Sequence, residues 1–171
     1  HRAADATAKR WNGLRLVYAT MAYGQRFSPY LSRFLGRGTA VGINAMVSFC
    51  LDDDAWKECR KVSGYCVRGT PSILNKFTLP LVLLHENFDV FWLDLDVFLF
   101  QSPTAAVAKV SSVAFHAELL ISGAFAVDCV CSGVVLFRST SKVKEWLKQL
   151  LIWMYEHPYE HDQKLVSAFL R

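Results

Sequence analysis

Two aspartates one residue apart interrupt the most hydrophobic stretch of this chain. Residues 88–100 read Phe-Asp-Val-Phe-Trp-Leu-Asp-Leu-Asp-Val-Phe-Leu-Phe, with Asp94 and Asp96 following the apolar core of the run. Phe, Val, Trp and Leu at this density predict a strand buried on both faces, as at the centre of a parallel sheet. Uncompensated charge is strongly disfavoured there, so both carboxylates need a physical explanation.

A divalent cation is one explanation for the pair. If the strand continues through Asp96, both side chains point to the same side, and carboxylates that close repel unless a proton or cation lies between them. Mg²⁺ or Mn²⁺, held by one or two carboxylates and completed by substrate phosphate oxygens, meets that need. The open α/β rule places such a site at the carboxyl end of the strand. The alternative is that Asp94 and Asp96 cap a turn or pair with Arg or Lys.

The elements around this run alternate in a way that predicts its position in the fold. Strand patterns cover residues 14–19, 41–51 and 64–68, and helical patterns cover 27–34, 52–62 and 72–86. Three strand-helix units leading into a fourth, buried strand predict an α/β fold with a right-handed, mostly parallel, doubly wound sheet. Further on, we predict a strand over 107–115, a short helix over 116–120, a strand pair over 126–138, and helices over 139–155 and from Asp162 to Leu170.

Size and composition indicate one globular domain. The chain has 171 residues, of which 53% are hydrophobic and 20% charged, so disorder is excluded. No stretch approaches the roughly 18 to 20 apolar residues of a membrane span. Basic residues concentrate in the first forty positions, but their spacing favours a solvated helix face over a nucleic-acid surface. Because the chain starts at His1 and ends within a helical pattern, we expect a segment of a longer protein, truncated at its carboxyl end.

Two other groups of reactive side chains have structural explanations. The run Asp52-Asp53-Asp54 fits the first turn of a helix, where acids complement the helix dipole, better than a metal site. The five cysteines form no Cys-x-x-Cys pair, and their odd number leaves at least one thiol free or paired outside the segment. The cysteines therefore leave the cellular compartment open.

Five features in this order resemble the nucleotide-diphospho-sugar transferases of glycosyltransferase family 77 and, more distantly, the retaining enzymes of family 8. The resemblance covers about residues 14–171 and implies a single GT-A-fold domain over 1–171. The features are Lys76, the strand residues 92–97, the segment 131–138, the helix with Trp146, and Asp162-Gln163.

The resemblance implies a site that binds a nucleotide and a metal ion. Asp94 and Asp96 would bind Mn²⁺ or Mg²⁺ at the diphosphate of a sugar nucleotide, with Asp96 the firmer ligand and Asp94 facing the ribose or the metal through water. Thr20 and its neighbours resemble the loop that cradles the nucleotide. Lys76 resembles a basic residue near the donor sugar and phosphates; its alternative is an exposed helix lysine.

The resemblance also implies a donor-sugar pocket. Asp162 and Gln163 resemble a catalytic pair that orients the sugar or stabilises an oxocarbenium-like transition state, although helix capping also explains them. Ser132 and Gly133 belong to the donor-binding segment. That segment departs from the family at Cys131, where the usual Asn supplies an amide that cysteine lacks. Related enzymes take a further metal ligand, commonly a His, from beyond the Asp-Gln helix, whereas this chain stops at Arg171.

These implications define an enzyme and two alternatives. The expected activity is transfer of a sugar from a nucleoside-diphosphate sugar, most simply a UDP-sugar, to a glycan or glycoprotein hydroxyl with retention. The family further implies the Golgi lumen or another secretory compartment, any membrane anchor outside this segment, and no nucleic-acid partner. The alternatives are a catalytically degenerate, transferase-derived binding domain and a haloacid dehalogenase-type phosphatase, which normally has a Gly-Thr turn where Val97 and Phe98 stand.

Overall fold

Strands and helices alternate through most of the chain. The computed structural model describes residues 9–11, 14–62, 65–104, 107, 117–123, 130–158 and 161–170. The strands within these ranges are β1 (Lys9–Trp11), β2 (Leu14–Ala22), β3 (Val47–Cys50), β4 (Cys66–Arg68), β5 (Asp89–Leu93), β6 (Leu119–Gly123) and β7 (Val130–Phe137). After a 3-10 turn at Ser28–Tyr30, the α-helices are α1 (Leu31–Ala40), α2 (Asp53–Val62), α3 (Asn75–His85), α4 (Ser141–Glu156) and α5 (Asp162–Phe169).

The strands form one sheet in the order β4-β3-β2-β5-β7-β6, with β1 paired to the start of β2. Neighbours from β4 to β5 are parallel, whereas β7 runs antiparallel to both β5 and β6. The predicted α/β class with a mostly parallel, helix-flanked sheet is therefore confirmed. Since β2, β3 and β5 are parallel neighbours, the segments that follow them meet at one edge of the sheet.

Both faces of the sheet are covered by helices. On one face, alternate strand residues such as Val17 and Trp92 pack against apolar side chains of α3, α4 and α5. On the other face, residues such as Tyr18 and Phe91 pack against α1 and α2. Every residue of β5 is buried, as expected for a central strand with helices on either side. None of the helices in the described ranges is long and apolar enough to cross a membrane.

Three local predictions are wrong, each because tertiary packing overrides a local signal. The helix predicted over 27–34 instead runs from Leu31 through Gly36 and Gly38, two residues that disfavour helix, to Ala40, since its apolar side is buried against the sheet. Leu119 and Leu120, predicted to be helical, lie in β6 because they pair with β7. The predicted strand pair over 126–138 is, in the described residues 130–137, one continuous strand. The strand predicted over 107–115 lies almost entirely outside the described residues.

Candidate functional site

A crevice of about 260 Å³ opens at the sheet edge where β2 and β5 end. Four of its lining residues are charged and form what is called here its polar side, and the other six are apolar or aromatic and form its aromatic side. Its lining residues are Met21, Ala22, Tyr23, Phe27, Ile73, Lys76, Asp94, Leu95, Asp96 and Asp162. The crevice therefore lies where ligands bind in open α/β sheets.

Asp94 is held by buried groups on both oxygens. β5 ends at Leu93, so the condition that the strand continues through Asp96 is not met. The Oδ1 atom of Asp94 accepts a hydrogen bond from the indole N–H of Trp92 at 2.8 Å, and Oδ2 accepts one from Lys76 Nζ at 2.6 Å. Trp92 is only 1% exposed, whereas the Asp94 side chain is 25% exposed. The carboxylate is thus fixed from the core while one side faces the crevice.

Gly133 allows this placement of Asp94. The Asp94 backbone N–H donates to the Gly133 carbonyl at 2.8 Å, which brings Asp94, directly after β5, beside Gly133 in β7. A Cβ atom at Gly133 would lie 3.3 Å from Asp94 Oδ2, tighter than ordinary van der Waals contact. Gly133 thus supports the aspartate from behind and is not among the residues that line the crevice.

Lys76 is a buried cation shared by two carboxylates. Its ammonium donates to Asp94 Oδ2 at 2.6 Å, Asp162 Oδ2 at 2.7 Å and Ser132 Oγ at 2.9 Å, so all three N–H donors are used. Burial alone would lower the Lys76 pKa, but the Asp94 charge and the hydrogen bonds to Asp162 and Asp94 outweigh it, and the pKa is raised. Lys76 is therefore no exposed helix lysine, and it stays protonated at neutral pH.

Asp162 completes this buried group from the start of α5. Its Oδ2 atom accepts hydrogen bonds from Lys76 and from Ser132 Oγ, the latter at 3.0 Å. Burial by itself would raise the pKa of this carboxyl, yet the Lys76 hydrogen bond and charge, with the Ser132 hydroxyl, hold it below its usual value. The N-cap bond of α5 comes from His161, whose side chain accepts from Gln163 N, so capping does not explain the Asp162 side chain.

The other predicted site residues, Asp96, Thr20 and Gln163, are not hydrogen-bond partners of Lys76. Asp96 lies in the turn after β5 and is exposed, with no ion pair to its carboxylate among the described residues. Thr20 is fully buried in β2, so the structure does not bring its side chain to the crevice; its neighbours Met21, Ala22 and Tyr23 line it instead. Gln163 is half-buried and is absent from the lining. Cys131, in β7, has a free thiol.

Sequence reasoning missed the aromatic side of the crevice. Phe27 is 49% exposed and faces the crevice together with Tyr23 and Ile73. The available signal was the Gly24 turn directly after the first parallel strand, since loops at the carboxyl ends of such strands carry ligand contacts. Gly24 has φ +85°, a backbone conformation that favours glycine.

The carboxylates of the crevice fit a hard divalent cation held partly by its substrate. Asp96 offers a solvent-facing carboxylate, and the Asp94 oxygens keep lone pairs beyond their two hydrogen bonds. In the described part of the chain, three close metal-type ligands occur only as Cys50, Cys59 and Cys66, where Cys59 and Cys66 form a disulfide. Mg²⁺ or Mn²⁺ commonly takes one or two carboxylates and completes its shell with phosphate oxygens and water, which matches Asp94 and Asp96.

The mostly parallel sheet, flanked by helices, defines an α/β domain of GT-A-like architecture. A model of the nucleotide-diphospho-sugar transferase family matches residues 72–171, and the chain belongs to this family. The match includes Lys76, Asp94, Asp96 and Asp162. No curated protein matches the chain. Family membership supports a general role in glycosyl transfer and implies a nucleotide-sugar donor.

Proposed function

We propose that this domain is a metal-dependent glycosyltransferase that moves a sugar from a nucleoside-diphosphate sugar, most simply a UDP-sugar, to a hydroxyl of a glycan or glycoprotein. The observation that carries the proposal is the buried contact of Lys76 with Asp94 and Asp162. Three residues from separate parts of the chain converge there, and all three line a crevice that Tyr23 and Phe27 also line. The family match is the reason to prefer this activity to phosphatase chemistry.

The polar side of the crevice suits the donor diphosphate. Asp96 and Asp94 would hold Mn²⁺ or Mg²⁺, which when bound stabilises negative charge on the departing nucleoside diphosphate. Lys76 supplies a further positive charge at the same place, in a partly buried setting where it acts strongly. A phosphate oxygen that reaches Lys76 must replace one of its three present acceptors, so donor binding is expected to rearrange this contact.

Asp162 is the residue best placed to act on the donor sugar. It remains ionised because its pKa is lowered, and a buried carboxylate is suited to stabilise the positive charge of an oxocarbenium-like transition state. We propose Gln163 as a helper that reaches the sugar once the donor is bound, and retention as the stereochemical outcome. Ser132 orients Asp162 through its hydroxyl.

The aromatic side suits the nucleoside. Tyr23 and Phe27 offer planar surfaces beside Met21 and Ile73, and stacking on aromatic side chains is a general way to bind bases. We therefore propose that the nucleotide loop expected at Thr20 consists of the residues that follow it. Thr20 itself would support the loop from the core.

We also propose the family 77-like subgroup, one domain over residues 1–171, and residence in the Golgi lumen or another secretory compartment. The Cys59–Cys66 disulfide supports this compartment, since disulfides persist in oxidising environments. Any membrane anchor would lie outside this segment.

A second candidate is a degenerate domain that binds a nucleotide without catalysis. Two observations favour it. The Lys76 ammonium already has all its hydrogen bonds within the protein, and Cys131 cannot supply the amide contacts of the usual Asn. The same crevice would then serve recognition alone.

Titration with UDP in the presence and absence of Mn²⁺ tests the proposal. We expect binding that requires Mn²⁺ and that weakens at least about tenfold in Asp94→Ala and Asp96→Ala, the loss of one charged contact. Asp53→Ala is the matched control, because Asp53 is an exposed carboxylate in α2 that pairs with Arg68 outside the crevice. UDP affinity that changes neither with Mn²⁺ nor with the two substitutions would refute the proposed transferase function. Metal-dependent UDP binding without turnover of UDP-sugars would favour the degenerate domain.

A further inference from the structure

Asp52 connects the end of β3 to the loop that carries the aromatic side of the crevice. Its Oδ1 atom accepts a hydrogen bond from Ala55 N at 2.7 Å, which caps α2 in the usual way. Its Oδ2 atom accepts one from Gly24 N. The Ser28 hydroxyl lies 3.1 and 3.0 Å from the two oxygens. One carboxylate thus joins the start of α2 to two points of the loop after β2.

These contacts exceed what a helix cap requires. A cap needs one side-chain oxygen that accepts from the first turn, and Ala55 N already uses Oδ1. Oδ2 accepts from Gly24, which lies 28 residues earlier in the chain and outside the helix. Burial alone would raise the Asp52 pKa, but hydrogen bonds from Ala55, Gly24 and Ser28 bring it below its usual value. The carboxylate is therefore ionised and fully engaged.

Each of the two loop residues that Asp52 holds is preceded in the chain by an aromatic residue of the crevice. Tyr23 precedes Gly24, and Phe27 precedes Ser28; both aromatic side chains line the crevice. The loop closes on itself, because Phe27 N and Ser28 N each donate to the Gly24 carbonyl at 3.0 Å. Ser28 is fully buried, whereas Phe27 beside it is half exposed. Fixing Gly24 and Ser28 therefore fixes where the two rings lie.

We propose that Asp52 is a positioning residue for nucleoside recognition: through Gly24 and Ser28 it holds Tyr23 and Phe27 in place as the surface against which the base of the nucleoside diphosphate stacks. This inference rests on the proposed function, because it gives the aromatic side of that same crevice its ligand. Asp52 does not touch the ligand, and the diphosphate on the polar side does not depend on it.

Two probes separate the two sides of the crevice. UDP with Mn²⁺ contacts both sides, whereas inorganic pyrophosphate with Mn²⁺ contacts only the polar side. Asp52→Asn keeps one carbonyl oxygen for capping, a role Asn fills well, but replaces the acceptor facing Gly24 or Ser28 with an N–H₂ donor. Ser28→Ala removes the hydroxyl and leaves the cap of α2 intact. Asp53→Asn, one residue away and exposed, is the matched control.

We expect Asp52→Asn and Ser28→Ala each to weaken UDP binding by about tenfold, the scale of one lost base-stacking contact, and to change pyrophosphate binding less than about twofold. Asp53→Asn should leave both unchanged. Adding Asp52→Asn to the double variant Tyr23→Ala/Phe27→Ala should weaken UDP binding no further, because Asp52 acts through these two rings.

Each other outcome counts against the inference. If wild-type protein binds UDP and both variants bind it equally well, Asp52 has no positioning role, and the proposed function stands. If UDP and pyrophosphate weaken together, the defect is general, and the inference is overturned. If wild-type protein does not bind UDP with Mn²⁺, the proposed function fails and this inference fails with it.

Discussion

Replacing Lys76 with methionine should destabilise the fold more than any other single change in the crevice. Methionine keeps an apolar stem of similar length, so the packing of α3 is retained while the charge is lost. Asp94 Oδ2 and Asp162 Oδ2 each lie within 2.7 Å of the Lys76 nitrogen, and both carboxylates would be left beside each other without a cation. Removing one partner of a buried ion pair costs about 3 to 5 kcal/mol. Because the Asp94 side chain is 25% exposed, we expect the lower end, about 3 kcal/mol.

Urea unfolding followed by tryptophan fluorescence at pH 7 measures this loss. Lys57→Met is the control, since Lys57 is 71% exposed and pairs with Asp54 at 3.4 Å on the surface of α2; its loss should be about 0.5 kcal/mol or less. Adding Asp162→Asn to Lys76→Met should restore about 1 kcal/mol or more, because it removes one of the two unpaired charges. Equal losses for Lys76→Met and Lys57→Met, or no recovery in the double variant, would refute the shared-cation arrangement.

Three further predictions follow from contacts around the crevice. Trp92→Phe keeps an aromatic ring in the core but removes the indole N–H from Asp94, so urea unfolding should show a loss of about 2 kcal/mol, and no loss would contradict that hydrogen bond. Gly133→Ala places a Cβ 3.3 Å from Asp94 Oδ2, so Mn²⁺-dependent UDP binding should weaken, and unchanged affinity would show that Asp94 adjusts freely. Burial and the neighbouring Asp52 charge raise the pKa of the Cys50 thiol to about 11; iodoacetamide at pH 8, read out by peptide mass spectrometry, should therefore leave Cys50 unmodified until the protein unfolds.

The central strand and the sheet could be predicted from the sequence because their signals are local and strong. Residues 89–93 are apolar apart from Asp89, and a strand buried on both faces requires that composition. The alternation of strand and helix then leaves few topologies. Where local signals were weak, tertiary packing determined the secondary structure. Gly36 and Gly38 did not end α1, because the helix buries Leu31, Phe34 and Leu35.

The candidate site was predictable only in part. Asp94 stood out because two close carboxylates in an apolar run need a compensating cation, and Lys76 and Asp162 were implied by the resemblance to a transferase family. Their mutual contact joins residues 18 and 86 positions apart, and no local pattern contains such a distance. The Cys59–Cys66 disulfide, between residues 7 positions apart, was missed for another reason: an odd number of cysteines does not specify which of them pair.

Asp52 shows how a correct local explanation can hide a second role. The Asp52-Asp53-Asp54 run does begin a helix, as predicted, and capping accounts for one oxygen of Asp52. The other oxygen serves a loop from a different part of the chain, which sequence spacing cannot reveal.

The charges of the crevice give a reason to expect a cation in addition to Lys76. Asp94, Asp96 and Asp162 line it with three carboxylates against the single ammonium of Lys76, which leaves two net negative charges at neutral pH. A nucleoside diphosphate is itself strongly anionic, so the crevice without further compensation would repel its proposed ligand. Two added positive charges near Asp96, the carboxylate farthest from internal compensation, would bring the crevice to neutrality. Lys76 thus compensates Asp94 and Asp162, which for Asp94 agrees with the alternative of pairing with a lysine. Asp96 has no ion pair among the described residues, so it is the carboxylate that a bound cation would compensate.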